Sequence, residues 1–217
     1  MKNYFALLCF ILCGTNTVQA AVLSFDDICG EANSCGDGGK LLSESSANYG
    51  GFTWDDTFAV FSNTVYAKYG NTYGASGKNA VGNAYGAVKS VSFNSGSTFD
   101  FLGAEFAGWT RDNAAFDFTS TSITVKGFNG DSLMGEIIFD LSETIGGYHP
   151  FTANLNGITR LEFSSSGEGK WWLMDNFNYS LNTPVSAVPL PASIWLLGSA
   201  FAGLVFTNRK RSTGQSA

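Results

Sequence analysis

Histidine occurs once in this chain, at His149, and that count removes several chemistries. A zinc helix carrying two histidines cannot form, and a thiol nucleophile has a single imidazole to draw on. Cysteine is scarce as well: of four, Cys9 and Cys13 lie in the N-terminal apolar run, leaving Cys29 and Cys35. Only 14% of residues are charged, prolines number 4, and the 26 glycines follow no fixed period. Disordered, coiled-coil and collagen-like chains are therefore excluded. There is no Gly-x-Ser-x-Gly elbow and no EF-hand pattern of spaced acids. Gly36-Asp37-Gly38-Gly39-Lys40 lacks the spacing and the hydroxyl of a phosphate loop.

Long uncharged runs are present, and they sit at the two ends. Met1-Lys2-Asn3 is followed by an uncharged stretch from Tyr4 to Gly14 and then Val18-Gln19-Ala20. One positive charge, a short apolar run and small residues before the junction predict a secretory signal over 1–20, cleaved between Ala20 and Ala21. Val188 to Phe206 is 19 residues without a charge, followed by the basic cluster Arg209-Lys210-Arg211 and a tail over 212–217. As a helix this run is about 28 Å long, one hydrocarbon core, and its apolar residues surround the axis instead of forming a stripe. The basic cluster stays cytoplasmic, which places residues 21–187 across the membrane.

The elements Val188-Pro189-Leu190-Pro191-Ala192, apolar helix and terminal Arg/Lys cluster resemble the PEP-CTERM sorting tail in its Val-Pro-Leu-Pro-Ala form, with Leu190 where the commoner form has an acid. The resemblance implies a Gram-negative exporter of exopolysaccharide. There an exosortase, a membrane transpeptidase, cuts near the proline motif and removes the helix. The mature protein would then reach the cell surface or the matrix.

Residues 21–187 hold all 18 acids but only eight of the 12 basic residues, an excess of ten negative charges. Such a surface repels phosphate backbones, so nucleic acid is excluded as a partner, while divalent cations suit it. Short alternating runs separated by Gly, Asn and Ser predict a single all-β domain, a jelly-roll-like antiparallel β-sandwich of about eight strands. The strands are expected near 21–28, 50–56, 87–94, 98–109, 119–128, 132–141, 157–165 and 171–181. Asn129-Gly130 predicts a two-residue type I′ hairpin turn. In 98–109 the apolar parity switches from Phe99/Phe101 to Leu102/Ala104/Phe106, and Gly103 can absorb a bulge there. The Gly/Asn/Tyr-rich stretch 57–86 reads as a long loop, and His149 beside Pro150 as a loop residue. Cys29 and Cys35, in an oxidising compartment, are expected to form a disulfide.

One constellation of acids has a physical rationale. Asp27 shares a parity with Leu23 and Phe25, and Asp175 shares one with Leu173, Phe177 and Tyr179. A carboxylate turned toward a core needs a hydrogen bond, a partner charge or a metal. If the first and last strands pair antiparallel, Asp27 and Asp175 meet at one end of the sheet, flanked by Asp26 and Asn176. Hard oxygen ligands so gathered suit a structural Ca²⁺. Leu23-Ser24-Phe25-Asp26-Asp27 and Met174-Asp175-Asn176-Phe177 also resemble jelly-roll modules of secreted bacterial proteins, which are similar to carbohydrate-binding modules. That resemblance implies a structural Ca²⁺ held by acids of the terminal strands.

Aromatic residues supply the candidate sugar contacts. Trp54 alternates with Phe52 and reads as core. Trp171 and Trp172 are adjacent, so one faces in and the other out. Trp109 ends a strand among polar neighbours. With Tyr69 and Tyr73 of the 57–86 stretch, Trp109 and Trp172 are the candidate ligand-binding residues. The reading is a non-enzymatic, exported surface protein associated with polysaccharide. Two alternatives stand beside it. One is a secreted carbohydrate-active enzyme working with two carboxylates. The other is a purely structural or adhesive protein, ice-binding ones included.

Overall fold

Period-two alternation makes strands in most of the places where the sequence shows it. The structure, a computed structural model, describes residues 20–28, 40–46, 48–62, 76–86, 88–108, 119–141, 147–167 and 169–181. These all lie within the unit Met1–Thr183. Besides two single 3₁₀ turns, Tyr49–Gly51 and Ala84–Gly86, they form twelve strands and one short α-helix: β1 (Ala20–Leu23), β2 (Lys40–Leu41), α1 (Leu42–Ser46), β3 (Phe52–Trp54), β4 (Phe58–Ser62), β5 (Asn79–Asn83), β6 (Lys89–Phe93), β7 (Phe99–Gly108), β8 (Ser122–Asn129), β9 (Ser132–Asp140), β10 (His149–Ile158), β11 (Arg160–Ser165) and β12 (Trp172–Leu181). The larger sheet runs β10-β7-β12-β5-β4-β2 with β1 added to β12, and the smaller runs β3-β6-β11-β8-β9. Every pairing between these strands is antiparallel.

An aromatic core joins the two sheets. Phe163 of β11 meets Phe58, Phe101, Phe106 and Trp172 of the larger sheet at ring-centroid distances of 5.7–6.4 Å. Phe52 of β3 packs edge-on against Phe177 and Tyr179 of β12 at 5.4 and 4.8 Å. Phe52, Phe58, Phe101, Phe106, Phe163 and Trp172 have no exposed surface. Burying each aromatic stabilises the fold by about 1.5–3 kcal/mol, and edge-to-face geometry adds about 0.5–1.5 kcal/mol per pair. Trp54 is core, as its alternation with Phe52 predicts.

Paired bulges reset the parity of two neighbouring strands. Along β12, Trp172 and Met174 face the inter-sheet core, and so do Phe177 and Tyr179, three residues further on. The extra residue sits around Asn176, which adopts φ 49°. A compensating shift in β7 lies at Leu102-Gly103, where Gly103 takes φ 146°. A methyl group there would collide with the carbonyl oxygen of Phe151 on β10, so the bulge needs glycine.

The structure corrects several expectations. There are twelve strands among the described residues, not about eight. The stretch 57–86 is not one loop: β4 and β5 lie in it and pair from Phe58↔Asn83 to Ser62↔Asn79. Both are buried on both faces, so they carry no alternation to read. His149 starts β10 and pairs with Phe106. The β8–β9 hairpin closes on Asn129↔Ser132, so its loop residues are Gly130 and Asp131. Positive φ falls on Gly130 and not on Asp131, the requirement of a type II′ turn instead of type I′.

Residues 1–19, Cys29, Cys35, Tyr69, Tyr73, Trp109 and the whole of 188–217 lie outside the described residues. Among the described residues no helix is long and apolar enough to cross a membrane.

Candidate functional site

The first and last strands pair side by side, Ala20↔Ser180 to Leu23↔Phe177. β5 takes the same edge of β12 further along, at Leu173↔Gly82 and Met174↔Val81. Between them β12 passes its edge from β5 to β1, and a carboxylate pair occupies that seam.

Each acid arrives there for a local reason. Beyond Leu23 the chain turns through Phe25, which is fully buried at φ 59°, into a turn over 26–28. Asn79, itself buried, holds that turn from inside: its Nδ2 donates to the carbonyls of Phe25 (3.1 Å) and Ile28 (2.9 Å). Asp26 then faces the segment leading into β5. Its Oδ1 accepts the backbone N–H groups of Lys78 (2.6 Å) and Asn79 (3.0 Å). Gly77 lets the chain pass, since a Cβ there would lie 2.8 Å from the carboxylate carbon. Asp175 comes from the other side. The bulge at Asn176 leaves it on the face of Leu173, away from the inter-sheet core, with no exposed surface. Its Oδ2 accepts the Ser76 N–H (2.9 Å), and its Oδ1 accepts the Asn176 N–H (2.7 Å).

Ser76 Oγ lies 3.2 Å from Asp175 Oδ2 and 3.4 Å from Asp26 Oδ2. A hydroxyl has one hydrogen, so it can serve only one of the two acids at a time. Among the described residues no basic side chain forms an ion pair with either acid. Burial pushes the Asp175 carboxyl from its ordinary 3.8 up to about 6; the Ser76 and Asn176 hydrogen bonds oppose the rise and the charge of Asp26 adds to it.

The four acid-end residues read from the sequence are therefore separated by the fold. Asp26 and Asp175 come together. Asp27 instead accepts the Tyr49 hydroxyl (2.6 Å), which in turn accepts the Phe25 N–H (3.2 Å). Burial first, and then the Asp27 bond, push the Tyr49 hydroxyl up. Asn176 gives its N–H to Asp175 and turns its side chain elsewhere. Among the described residues no three His, Cys, Asp or Glu side chains converge as a metal cluster. Ser76, missed by the sequence reading, sits in the stretch taken for loop.

Beside the seam a groove of about 400 Å³ opens between β1, β7, β10 and β12, lined among others by Val22, Leu102, Glu105, Thr152, Asn176 and Asn178. The double bulge shapes it. Asn178 Oδ1 is buried without a hydrogen-bond partner among the described residues. Trp172 takes no part in any such surface: it is wholly buried among Phe58, Phe106 and Phe163, which removes it as a ligand contact. Trp171 is the half-covered member of the pair, packed 6.4 Å from Phe61.

No family model matches the chain, and no curated protein matches it. Among solved structures, the K2 cleaved adhesin domain of Lys-gingipain is similar at a TM-score of 0.44 and 14% identity, over 75% of this chain and 99% of that one. TmCBM61, solved in complex with β-1,4-galactotriose, gives 0.37 at 12% identity, over 65% and 94%. The N-terminal CBM22-1–CBM22-2 tandem domain of Paenibacillus barcinonensis Xyn10C gives 0.37 at 11% identity, over 82% of this chain and 49% of that one. Each is a distant likeness, and none carries a ligand or a residue role over to this chain.

Proposed function

We propose that this is an exported, non-enzymatic protein of the cell surface or matrix that associates with polysaccharide and is stabilised by Ca²⁺. In this reading the signal is removed after Ala20, which leaves Ala21–Leu23 to complete the pairing with β12. The Val188–Phe206 helix holds the chain in the membrane until an exosortase-type transpeptidase cuts at Val188-Pro189-Leu190-Pro191-Ala192, with Arg209-Lys210-Arg211 on the cytoplasmic side. Cys29 and Cys35 form the disulfide, and the sandwich is jelly-roll-like.

The observation that carries the polysaccharide part is the groove. Its polar side chains Glu105, Thr152, Asn176 and Asn178 make no side-chain hydrogen bond among the described residues, so they are available to a ligand rich in hydroxyls. The residues of the seam fit a hard cation in kind. Asp26 Oδ2 and Asp175 Oδ2 lie 3.4 and 3.2 Å from Ser76 Oγ, and among the described residues the two negative charges have no ion-pair partner. Ca²⁺ would supply charge compensation at the point where β1, β5 and β12 meet. Asp175 exposes no surface to a sugar, which removes it as one of the two carboxylates an enzymatic reading needs.

Glycan-array screening of the full chain, with its melting curve as a folding control, tests the reading. Retention of one or more polysaccharides is the expected outcome. A folded protein that retains none refutes polysaccharide association and favours a purely structural or adhesive role.

A further inference from the structure

The groove gathers polar side chains that make no side-chain hydrogen bond among the described residues. Asn83 and Asp100 of the same sheet are committed to the fold instead. Asn83 bonds the Lys170 carbonyl and Ser165 Oγ, and accepts the Trp172 N–H (2.8 Å). Asp100 accepts the Gly157 N–H (2.7 Å). In the groove, Thr152, Asn176 and Asn178 have no such side-chain partner among the described residues. Asn178 goes furthest: its Oδ1 is buried and unpaired and its amide makes no hydrogen bond among the described residues, so a turn of the amide would present either donor or acceptor to an incoming group. A buried polar atom left unpaired costs stability, and a ligand that satisfies it recovers that cost on binding.

Among the described residues the charge lining the groove has one sign. Glu105 lines it directly, and its cross-strand neighbour on β12 is Asp175, whose partner across Ser76 is Asp26. Among the described residues no lysine or arginine lines the groove. The domain as a whole adds ten more acids than bases over 21–187. Val22, more than half exposed, with Leu102 offers apolar surface for the C–H faces of a sugar ring.

We infer that the groove binds uncharged saccharide and rejects polymers bearing uronate or sulfate, with Glu105 as the residue that sets this discrimination and Asn176, Asn178 and Thr152 as the hydroxyl contacts. The inference deepens the polysaccharide reading above and rests on it. A carboxylate-bearing sugar seated against Glu105 meets a like charge at short range in a partly desolvated cleft. A neutral sugar offers only hydroxyls, which donate to the Glu105 carboxylate and bond the Asn178 amide once it turns toward the groove. Binding of an acidic polymer with the same backbone is therefore at least about tenfold weaker than that of its neutral counterpart.

The test uses an array carrying neutral glycans together with uronate- and sulfate-bearing ones, probed with the full chain, with Glu105→Gln, and with Asn178→Leu. Melting curves of all three confirm folding. The inference predicts retention on neutral glycans alone, a gain of acidic glycans in Glu105→Gln, and at least about a fivefold loss on neutral glycans in Asn178→Leu. Preferential binding of acidic glycans, or a Glu105→Gln profile unchanged from the parent, overturns the inference and leaves the polysaccharide reading standing. Neutral binding that survives Asn178→Leu but is lost in Trp109→Ala moves the site away from the groove with the same consequence. No retention on any glycan overturns both.

Discussion

Raising the pH from about 4 to about 7 removes the proton from Asp175 and leaves two carboxylates facing each other across one serine hydroxyl. In the folded protein burial raises this carboxyl from 3.8 to about 6. The unfolded chain returns it to its ordinary value. Between those two values the native state holds a proton that the unfolded state has lost. The stability tied to this group is thus complete below about pH 4 and is lost as the pH rises through about 6. A shift of about two units at about 1.4 kcal/mol each corresponds to about 3 kcal/mol. For a domain of this size that is about 6–12 °C in melting temperature. Asp55 is moved the other way, its carboxyl held low by the Thr57 hydrogen bonds and the Lys89 charge although burial, the largest contribution, opposes them. The measurement is therefore a difference: thermal unfolding of the full chain and of Asp175→Asn, in chelator, across that range. The stability difference between the two should shift toward the variant by about 3 kcal/mol from the acid to the neutral end. A difference constant to within about 0.5 kcal/mol would refute the argument that burial and Asp26 together burden this group. Adding calcium at neutral pH should restore about 2.7 kcal/mol to the parent at a hundredfold excess over Kd and nothing to the variant. Indifference of the parent to calcium removes the metal and leaves the proton argument intact.

Two backbone predictions follow from the seam and the bulge. Asn79→Ala strips the donor from the buried Phe25 and Ile28 carbonyls and should cost about 3 kcal/mol in chemical denaturation. The isosteric Asn79→Asp, which turns an acceptor toward the same carbonyls, should cost at least as much; a neutral result for it would show that the residue merely fills space. Gly103→Ala should cost about 3 kcal/mol through left-handed strain and collision with Phe151, against about 1 kcal/mol for Gly96→Ala, where a methyl group meets nothing within 4 Å. Equal costs at the two sites would mean that β7 and β10 do not approach as closely as described.

Among the strands that one solvent-facing side keeps in alternation, β8 with Ile123 and Val125 inward and β11 with Leu161 and Phe163 were readable, as was the parity switch at Gly103 in β7, but β10, which alternates through Phe151, Ala153 and Leu155, was not read as a strand. β4 and β5 were not readable. Phe58-Ala59-Val60-Phe61 is apolar throughout because both faces are buried, and Asn79-Ala80-Val81-Gly82-Asn83 has the composition of a turn. In β5 the asparagines are there for their amides, since Asn79 holds the 25–28 turn and Asn83 fixes the backbone at Lys170 and Trp172. Propensity sees a turn former where the fold uses a buried hydrogen-bonding side chain. The candidate site suffered from the same limit. The antiparallel pairing of β1 with β12, on which that reading was conditional, is present. Which acid of Asp26-Asp27 meets Asp175 depended on a turn at Phe25 and a bulge at Asn176, both at positive φ on residues other than glycine. A strict period of two carries no signal for either.

Those two irregularities have one consequence in common. Without the bulge one parity would run through β12, and if Phe177 and Tyr179 kept the core, Asp175 would point into it as well, where a carboxylate finds no donors. With it, Asp175 reaches Ser76, and Asn176 and Asn178 fall on the groove side. Without the turn at Phe25, β1 would run on and Asp26 would miss the N–H groups of Lys78 and Asn79. The seam and the groove are thus two faces of a single departure from regular pairing: the point where β12 changes partners. A substitution that regularised β12 there would be expected to remove the acid pair and the saccharide groove together. A sandwich that kept its sugar binding after Asn176 lost its positive φ would separate them.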